Sequence, residues 1–166
     1  MLHLRSLLAS IAVCGILCSV GPQLVDAQVH RTQVSANPFL LLAEWYNLEL
    51  EHSVTKASSL ALSASRLDVS DDRYSSLSLE YRYYPSGEAL RGFHFGPRLG
   101  LFVVDDTTDD DAAGGFGFEV GYNWLLGERD NVLIGLGVGV NRLFGEDRAD
   151  GGLLPSVRLL NIGWAF

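Results

Sequence analysis

The chain has 166 residues, with 20 acidic against 12 basic side chains and a net charge of −8. That balance argues against nucleic acid as a partner, because phosphate backbones demand a basic surface. Apolar residues make up 48% of the chain, yet beyond the opening segment no long hydrophobic run remains for a transmembrane helix. Alternating strands are the other way to set that much apolar surface in lipid while pairing every backbone group.

In chain order, Arg5 precedes an uncharged apolar run from Leu7 to Val20, followed by Val25, Asp26 and Ala27. This predicts a secretory signal peptide over residues 1–27, with cleavage before Gln28. Cys14 and Cys18 both lie inside it. The exported part, residues 28–166, is therefore expected to carry no disulfide and no thiolate metal site. At about 139 residues it is sized for one domain.

Gln33 to Leu42 is read as a first strand with a tight connection near Ala43 to Trp45, although Pro38 cannot donate to a ladder and Phe39 to Leu42 do not alternate. Tyr46, Leu48 and Leu50 then oppose Asn47, Glu49 and Glu51, and Leu60, Leu62 and Ala64 oppose Ala61, Ser63 and Ser65. Leu77, Leu79, Tyr81 and Tyr83 alternate with Ser76, Ser78, Glu80 and Arg82. Phe93, Phe95, Leu99 and Leu101 alternate with His94, Gly96, Arg98 and Gly100. Phe116, Phe118, Val120, Tyr122 and Trp124 face away from Gly117, Glu119, Gly121 and Asn123. Val132 to Val140 shows the same pattern against Gly135, Gly137, Gly139 and Asn141. The closing run, Leu160, Ile162, Trp164 and Phe166 against Asn161, Gly163 and Ala165, is expected to end the barrel, with Trp164 and Phe166 as its assembly signal. Period two throughout predicts an all-β, antiparallel, up-and-down transmembrane β-barrel of about eight strands in the bacterial outer membrane.

With Phe166 at the periplasmic end, Ser53 to Ser58, Pro85 to Arg91 and Gly127 to Asn131 become short periplasmic turns. Asp68 to Arg73, Asp105 to Ala113 and Gly145 to Gly152 become external loops rich in aspartate. Tyr81, Tyr83, Phe93, Tyr122, Trp124, Trp164 and Phe166 collect at one level as an aromatic girdle.

Tyr81-Arg82-Tyr83-Tyr84, followed by Gly92-Phe93-His94-Phe95-Gly96-Pro97, resembles the Tyr-rich strand and Gly-Phe-x-x-Gly-Pro turn of small outer-membrane barrel proteins of Bacteroidetes-like bacteria. Asn37-Pro38-Phe39-Leu40 and Asn47-Leu48-Glu49-Leu50-Glu51 are similar to the opening of the same proteins. The resemblance implies a barrel of the general OmpA/OmpX type and assigns no activity. The chain departs from the family pattern at Glu51-His52, where that family more often shows a Tyr-Glu-Arg-like sequence.

Glu49, Glu51, Glu80, Arg82, His94, Arg98, Glu119, Asn123 and Asn141 fall on the lumen-facing register. In a barrel just wide enough to be filled by its own side chains, they are expected to neutralise one another as a structural network. A dyad of His94 with Glu80 or Glu119 would lack substrate access. His52 and Ser53, adjacent on a strand, point to opposite faces and cannot act as base and nucleophile. No catalytic or cofactor-binding residue is therefore assigned, no cofactor is expected, and a lipid A or phospholipid hydrolase is the alternative to a structural or surface-interaction role. A narrow pore or ligand-carrying barrel is a third reading, which conflicts with the expected width. His30, His52 and His94 have no ligand spacing. Asp105, Asp106, Asp109, Asp110 and Asp111 could attract a divalent cation at the outer rim, without the spacing of a calcium loop. Strict alternation back from Phe166 would put Arg158 in lipid, so a bulge at Leu159-Leu160 is expected to turn it inward. The expected partners are outer-membrane lipid, lipopolysaccharide and the barrel assembly machinery, for a monomeric protein.

Overall fold

The computed structural model describes residues 30–69, 72–105, 110–144 and 152–166. Eight antiparallel strands follow in chain order: β1 Thr32–Ala36, β2 Trp45–Thr55, β3 Ser58–Val69, β4 Asp72–Tyr83, β5 Gly92–Asp105, β6 Asp110–Leu126, β7 Val132–Phe144 and β8 Leu153–Ala165. Each pairs with its sequence neighbour, and β1 pairs with β8 through Val34↔Trp164 and Ser35↔Gly163, which closes the barrel. β1 is short: it covers β8 only from Ile162 to Ala165 and β2 only from Glu49 to His52, and over that stretch the ends of the sheet are paired.

Burial is inverted relative to a water-soluble domain. Leu48, Leu79, Leu99, Phe116, Val138 and Trp164 are exposed on the outside, whereas Glu51, Arg82, His94, Glu119 and Asn123 are fully buried inside. The cause is the pleat: successive side chains alternate sides, and the sequence alternates in step. Tyr122 and Trp124 stack at 4.5 Å, and Tyr83 meets Phe95 edge to face at 5.7 Å, within the aromatic band near the short-turn end.

That end is sealed. Tyr84, Ala89 and Leu90 form one buried apolar cluster in the β4–β5 connection, and Leu125, Leu133 and Ala165 form another across β6, β7 and β8. The connection is tied down where Tyr84 N–H donates to Ala57 O at 2.8 Å and Ala89 N–H to Lys56 O at 2.7 Å.

The structure departs from the sequence expectation at the end of β1 and at the outer ends of β3, β4, β5 and β6. β1 stops at Ala36, and Leu40–Ala43 form a 3-10 turn instead of continuing the strand. Asn37 causes this: its Oδ1 accepts from Phe39 N–H at 2.9 Å and Leu40 N–H at 3.1 Å, while Pro38 has no N–H to extend a ladder. The strands also run further toward the other end than expected. β3 and β4 pair out to Val69↔Asp72, and β5 and β6 out to Asp105↔Asp110, so the aspartate segments contribute backbone to the sheet.

β8 contains an irregularity opposite Leu136. Gly135 pairs with Asn161 but Gly137 pairs with Arg158, so β8 holds one extra residue here, and Leu160 takes φ +43°. Leu159 and Leu160 both remain partly exposed on the outside, and Arg158 turns into the lumen, where it is 6% exposed. Deleting Leu160 should therefore restore simple alternation, keep both halves of the β7–β8 register and change unfolding free energy in detergent by less than about 1 kcal/mol. Deleting Ile162 should instead push Asn161 outward and cost about 2 kcal/mol or more for an unpaired amide. Equal loss in both variants would contradict the assigned bulge.

Candidate functional site

The lumen site begins with strand parity. Odd positions of β2, even positions of β4 and β5 and odd positions of β6 point inward, which delivers Glu49, Glu51, Glu80, Arg82, His94, Arg98, Glu119 and Asn123 to one space. Arg82 is the hub. Its Nη1 donates to Glu49 at 2.9 Å and Glu51 at 2.5 Å, and its Nη2 donates to Glu49 and Glu80, each at 2.9 Å. Glu119 stands 3.6 Å from the same Nη2. The planar five-donor fork of arginine suits this bidentate grip in a way a lysine could not.

Arg158 supplies a second fork. It donates to Glu49 at 2.8 Å and to Asn123 Oδ1 at 3.0 Å, and lies 3.1 Å from His94 Nε2. A guanidinium only donates, so this imidazole nitrogen is the acceptor. Space for the arrangement comes from the bare face of β7 and β6: a Cβ on Gly137 would sit 2.8 Å from Glu119 Oε1, and one on Gly121 would sit 2.6 Å from His94 Nε2. Arg98 pairs with Glu119 at 2.6 Å and also reaches Ser156 at 2.6 Å and Ser78 at 3.1 Å.

Glu51 connects the network to the seal below. It accepts from Gln33 Nε2 at 2.5 Å, from Ser59 Oγ and from the Tyr84 hydroxyl, and Asn123 donates to that hydroxyl at 3.2 Å. Asn141 is buried too, but it is not joined to this cluster by any hydrogen bond among the described residues. Arg158 lies in the lumen as the expected bulge requires, whereas Gln33, Ser59, Ser78, Ser156 and Tyr84 join the network beyond the expected lumen residues. Tyr84 was legible, because it extends the even parity of Ser76 to Arg82. Gln33 was hidden by the broken alternation at Pro38.

The charges nearly balance: four carboxylates, Glu49, Glu51, Glu80 and Glu119, face three guanidiniums, Arg82, Arg98 and Arg158. Ligand atoms of Glu80, His94 and Glu119 also lie within 4.8 Å of one another, a spacing compatible with a metal ion. Arg82 holds Glu80, and Arg158 stands against Glu119 and His94, so guanidinium groups already supply positive charge there. His52 is hydrogen-bonded to Thr32 at 2.8 Å and His30 to Arg129 O at 2.7 Å, both away from the lumen cluster.

Above the cluster the described residues do not fill the lumen, which corrects the expected width argument. A cavity of about 680 Å³ lies toward the end bearing the β3–β4, β5–β6 and β7–β8 connections. Small inward residues leave it: Ser63 and Ser65 on β3, Ser76 on β4 and Ala113 on β6 face a space that Leu or Phe would occupy.

At the rim, Asp68 is bridged by Arg66 at 3.2 Å and Arg73 at 3.1 Å. Hydrogen bonds from Arg66 and then Arg73 hold its carboxyl below the usual carboxylate range. Asp106 and Asp109 lie outside the described residues. Of Asp105, Asp110 and Asp111 only the strand positions are described, Asp105 opposite Asp110 and Asp111 opposite Val104.

Fold and site together define an all-β, closed eight-stranded barrel with an apolar exterior and an ion-paired interior. A family model described as "Protein of unknown function (DUF3575)" matches residues 12–147, and the chain belongs to that family. Among solved structures it is similar to the N-terminal β-barrel domain of Pseudomonas aeruginosa OprF, at 17% identity, covering 82% of this chain and 98% of that one, with a TM-score of 0.47. No curated protein matches it.

Replacing Arg82 by Met should strand Glu49, Glu51 and Glu80 in the lumen and cost about 3–5 kcal/mol. Chemical unfolding in detergent measures this, and restoring part of the loss by adding Glu49→Gln would show that the cost is the uncompensated charge. For Arg98 and Glu119, a double-mutant cycle should give a coupling of about 1 kcal/mol or more, as expected for contacting buried charges. Additive effects would separate them.

Proposed function

We propose that the protein is an outer-membrane β-barrel with a structural or surface-interaction role in the cell envelope. The observation that carries this is the inverted burial, with leucine, valine and aromatic side chains exposed around the outside and charged groups sealed within. In water that surface would far exceed the apolar patch a soluble monomer tolerates, whereas in lipid it is the required face. The sealed end argues for a non-conducting barrel over a pore. An enzymatic role would need a nucleophile beside a base, and His94 is instead engaged by Arg158.

Residues 1–27 act in this reading as an export signal, and Trp164 and Phe166 as the segment recognised by the assembly machinery. Lipid and lipopolysaccharide are its surroundings, as in the Bacteroidetes-type barrels that the sequence resembles, and the barrel works as a monomer. Cell fractionation should recover the protein in the outer membrane. The purified protein should show a strand-dominated circular dichroism spectrum and heat-modifiable gel migration. Recovery from the soluble periplasm would sink the idea.

The aspartates between β5 and β6 are assigned a solvating role at the rim. Replacing Asp105, Asp106, Asp109, Asp110 and Asp111 by Asn should leave the melting temperature nearly unchanged, with or without calcium. A calcium-dependent rise seen only in the wild type would assign them a ligand instead, because an ion that binds only the folded state shifts its unfolding equilibrium.

A further inference from the structure

The cavity above the ion-paired cluster has the make-up of a ligand site. Its volume of about 680 Å³ falls within the roughly 300–1,000 Å³ of small-molecule pockets. Its floor is polar but electrically closed, since Arg98 is paired with Glu119 at 2.6 Å and Arg158 with Glu49 at 2.8 Å. The charged groups facing the cavity are already in ion pairs, while Arg98 Nε, Glu119 Oε1 and Asn141 Oδ1 accept or donate no hydrogen bond among the described residues, so an ionic ligand would have to compete with an existing pair after losing its hydration. Above the floor stand the half-buried hydroxyls of Ser63 and Ser76, which can donate and accept. The upper wall is apolar, formed by Trp45, Phe102, Leu143 and Leu154. Trp45 is held in place by the hydrogen bond from its Nε1 to Ser65 Oγ at 2.6 Å, so one indole face is preset as a packing surface.

We propose that this cavity binds a small uncharged amphiphile. A hydroxyl or amide head would meet the hydroxyls of Ser63 and Ser76 above the floor, and an aromatic or short alkyl body would pack against Trp45 and Phe102. The site goes beyond the envelope role proposed above, and its test needs only the folded barrel in detergent.

Three near-isosteric probes separate the chemistry. Benzamide is neutral and polar, benzoate is its anionic counterpart and benzylammonium its cationic one. Phenyl β-glucoside tests a larger neutral head, and toluene tests the apolar wall alone. Trp124→Phe and Trp164→Phe remove the two other tryptophans, leaving Trp45 as the fluorescence reporter. Benzamide and phenyl β-glucoside should give saturable changes in Trp45 fluorescence, with benzoate, benzylammonium and toluene at least about tenfold weaker. Ser63→Leu and Ala113→Trp, each filling the space from a different strand, should each weaken binding by about tenfold or more. Heat-modifiable migration reports whether each variant has folded. Absence of saturable binding by both neutral probes would overturn the proposal, as would equal binding of a charged probe or toluene, or unchanged binding in both folded variants. None of these results would alter the fractionation outcome, so this site and the envelope role fail separately.

Discussion

The guanidinium of Arg82 is the group around which the interior of this barrel is organised. Four hydrogen bonds leave it for three glutamates that arrive from two strands, and a fourth carboxylate stands 3.6 Å away. Without a central cation, Glu49, Glu51, Glu80 and Glu119 would repel one another across a lumen from which bulk water is displaced. That repulsion follows from the fold itself. A closed sheet in lipid must spend its apolar residues on the outside, so polar ones are left to fill the inside and must satisfy each other. Stability here is therefore not the burial of a hydrophobic core. The two apolar clusters are small and sit at one end, while the middle is held by ion pairs whose partners have no favourable alternative.

Most of this was written in the alternation. Glu49 and Glu51, Glu80 and Arg82, His94 and Arg98, and Glu119 and Asn123 each share a parity within one strand, and parity alone assigns them to one side of a sheet. What parity cannot say is which strands face each other across the lumen. The contact between Arg158 on β8 and Glu49 on β2 spans 109 residues of sequence and depends on the β1–β8 closure. At the end of β1, turn chemistry at Asn37 and Pro38 wins over the apolar run Phe39 to Leu42, which a pattern of apolar residues alone does not reveal. The cavity is not legible from strand number, which sets only the width of the barrel; the size of the inward residues decides whether that width is filled.

The lumen accordingly has three levels with different chemistry. Tyr84, Leu90 and Leu133 seal the short-turn end, the glutamate and arginine cluster fills the middle, and serine and alanine leave the upper part open. These levels are mechanically linked. Tyr84 belongs to the seal through Leu90 and to the cluster through its hydroxyl on Glu51, while Arg98 belongs to the cluster through Glu119 and to the cavity floor through Ser156. The seal thus meets the cluster through the Tyr84 hydroxyl on Glu51, and the cluster meets the cavity floor through Arg98 on Ser156.

The bulge in β8 shows how a single residue can reconcile two incompatible demands. Below it, Asn161, Gly163 and Ala165 must face inward so that β8 can close against β1. Above it, Arg158 must also face inward to reach Glu49 and His94. Positions 158 and 161 are separated by an odd interval, so regular pleating would send one of them to the apolar outer face. One extra residue on β8, with Leu160 at positive φ, resolves the conflict. The positive φ of a leucine costs on the order of 1–2 kcal/mol, and a midplane arginine in lipid costs about 2–4 kcal/mol. The balance favours the bulge even before the ion pair with Glu49 is counted. Both displaced residues are leucines, which makes the solution local: the side chains pushed to the outer face are ones that lipid accepts.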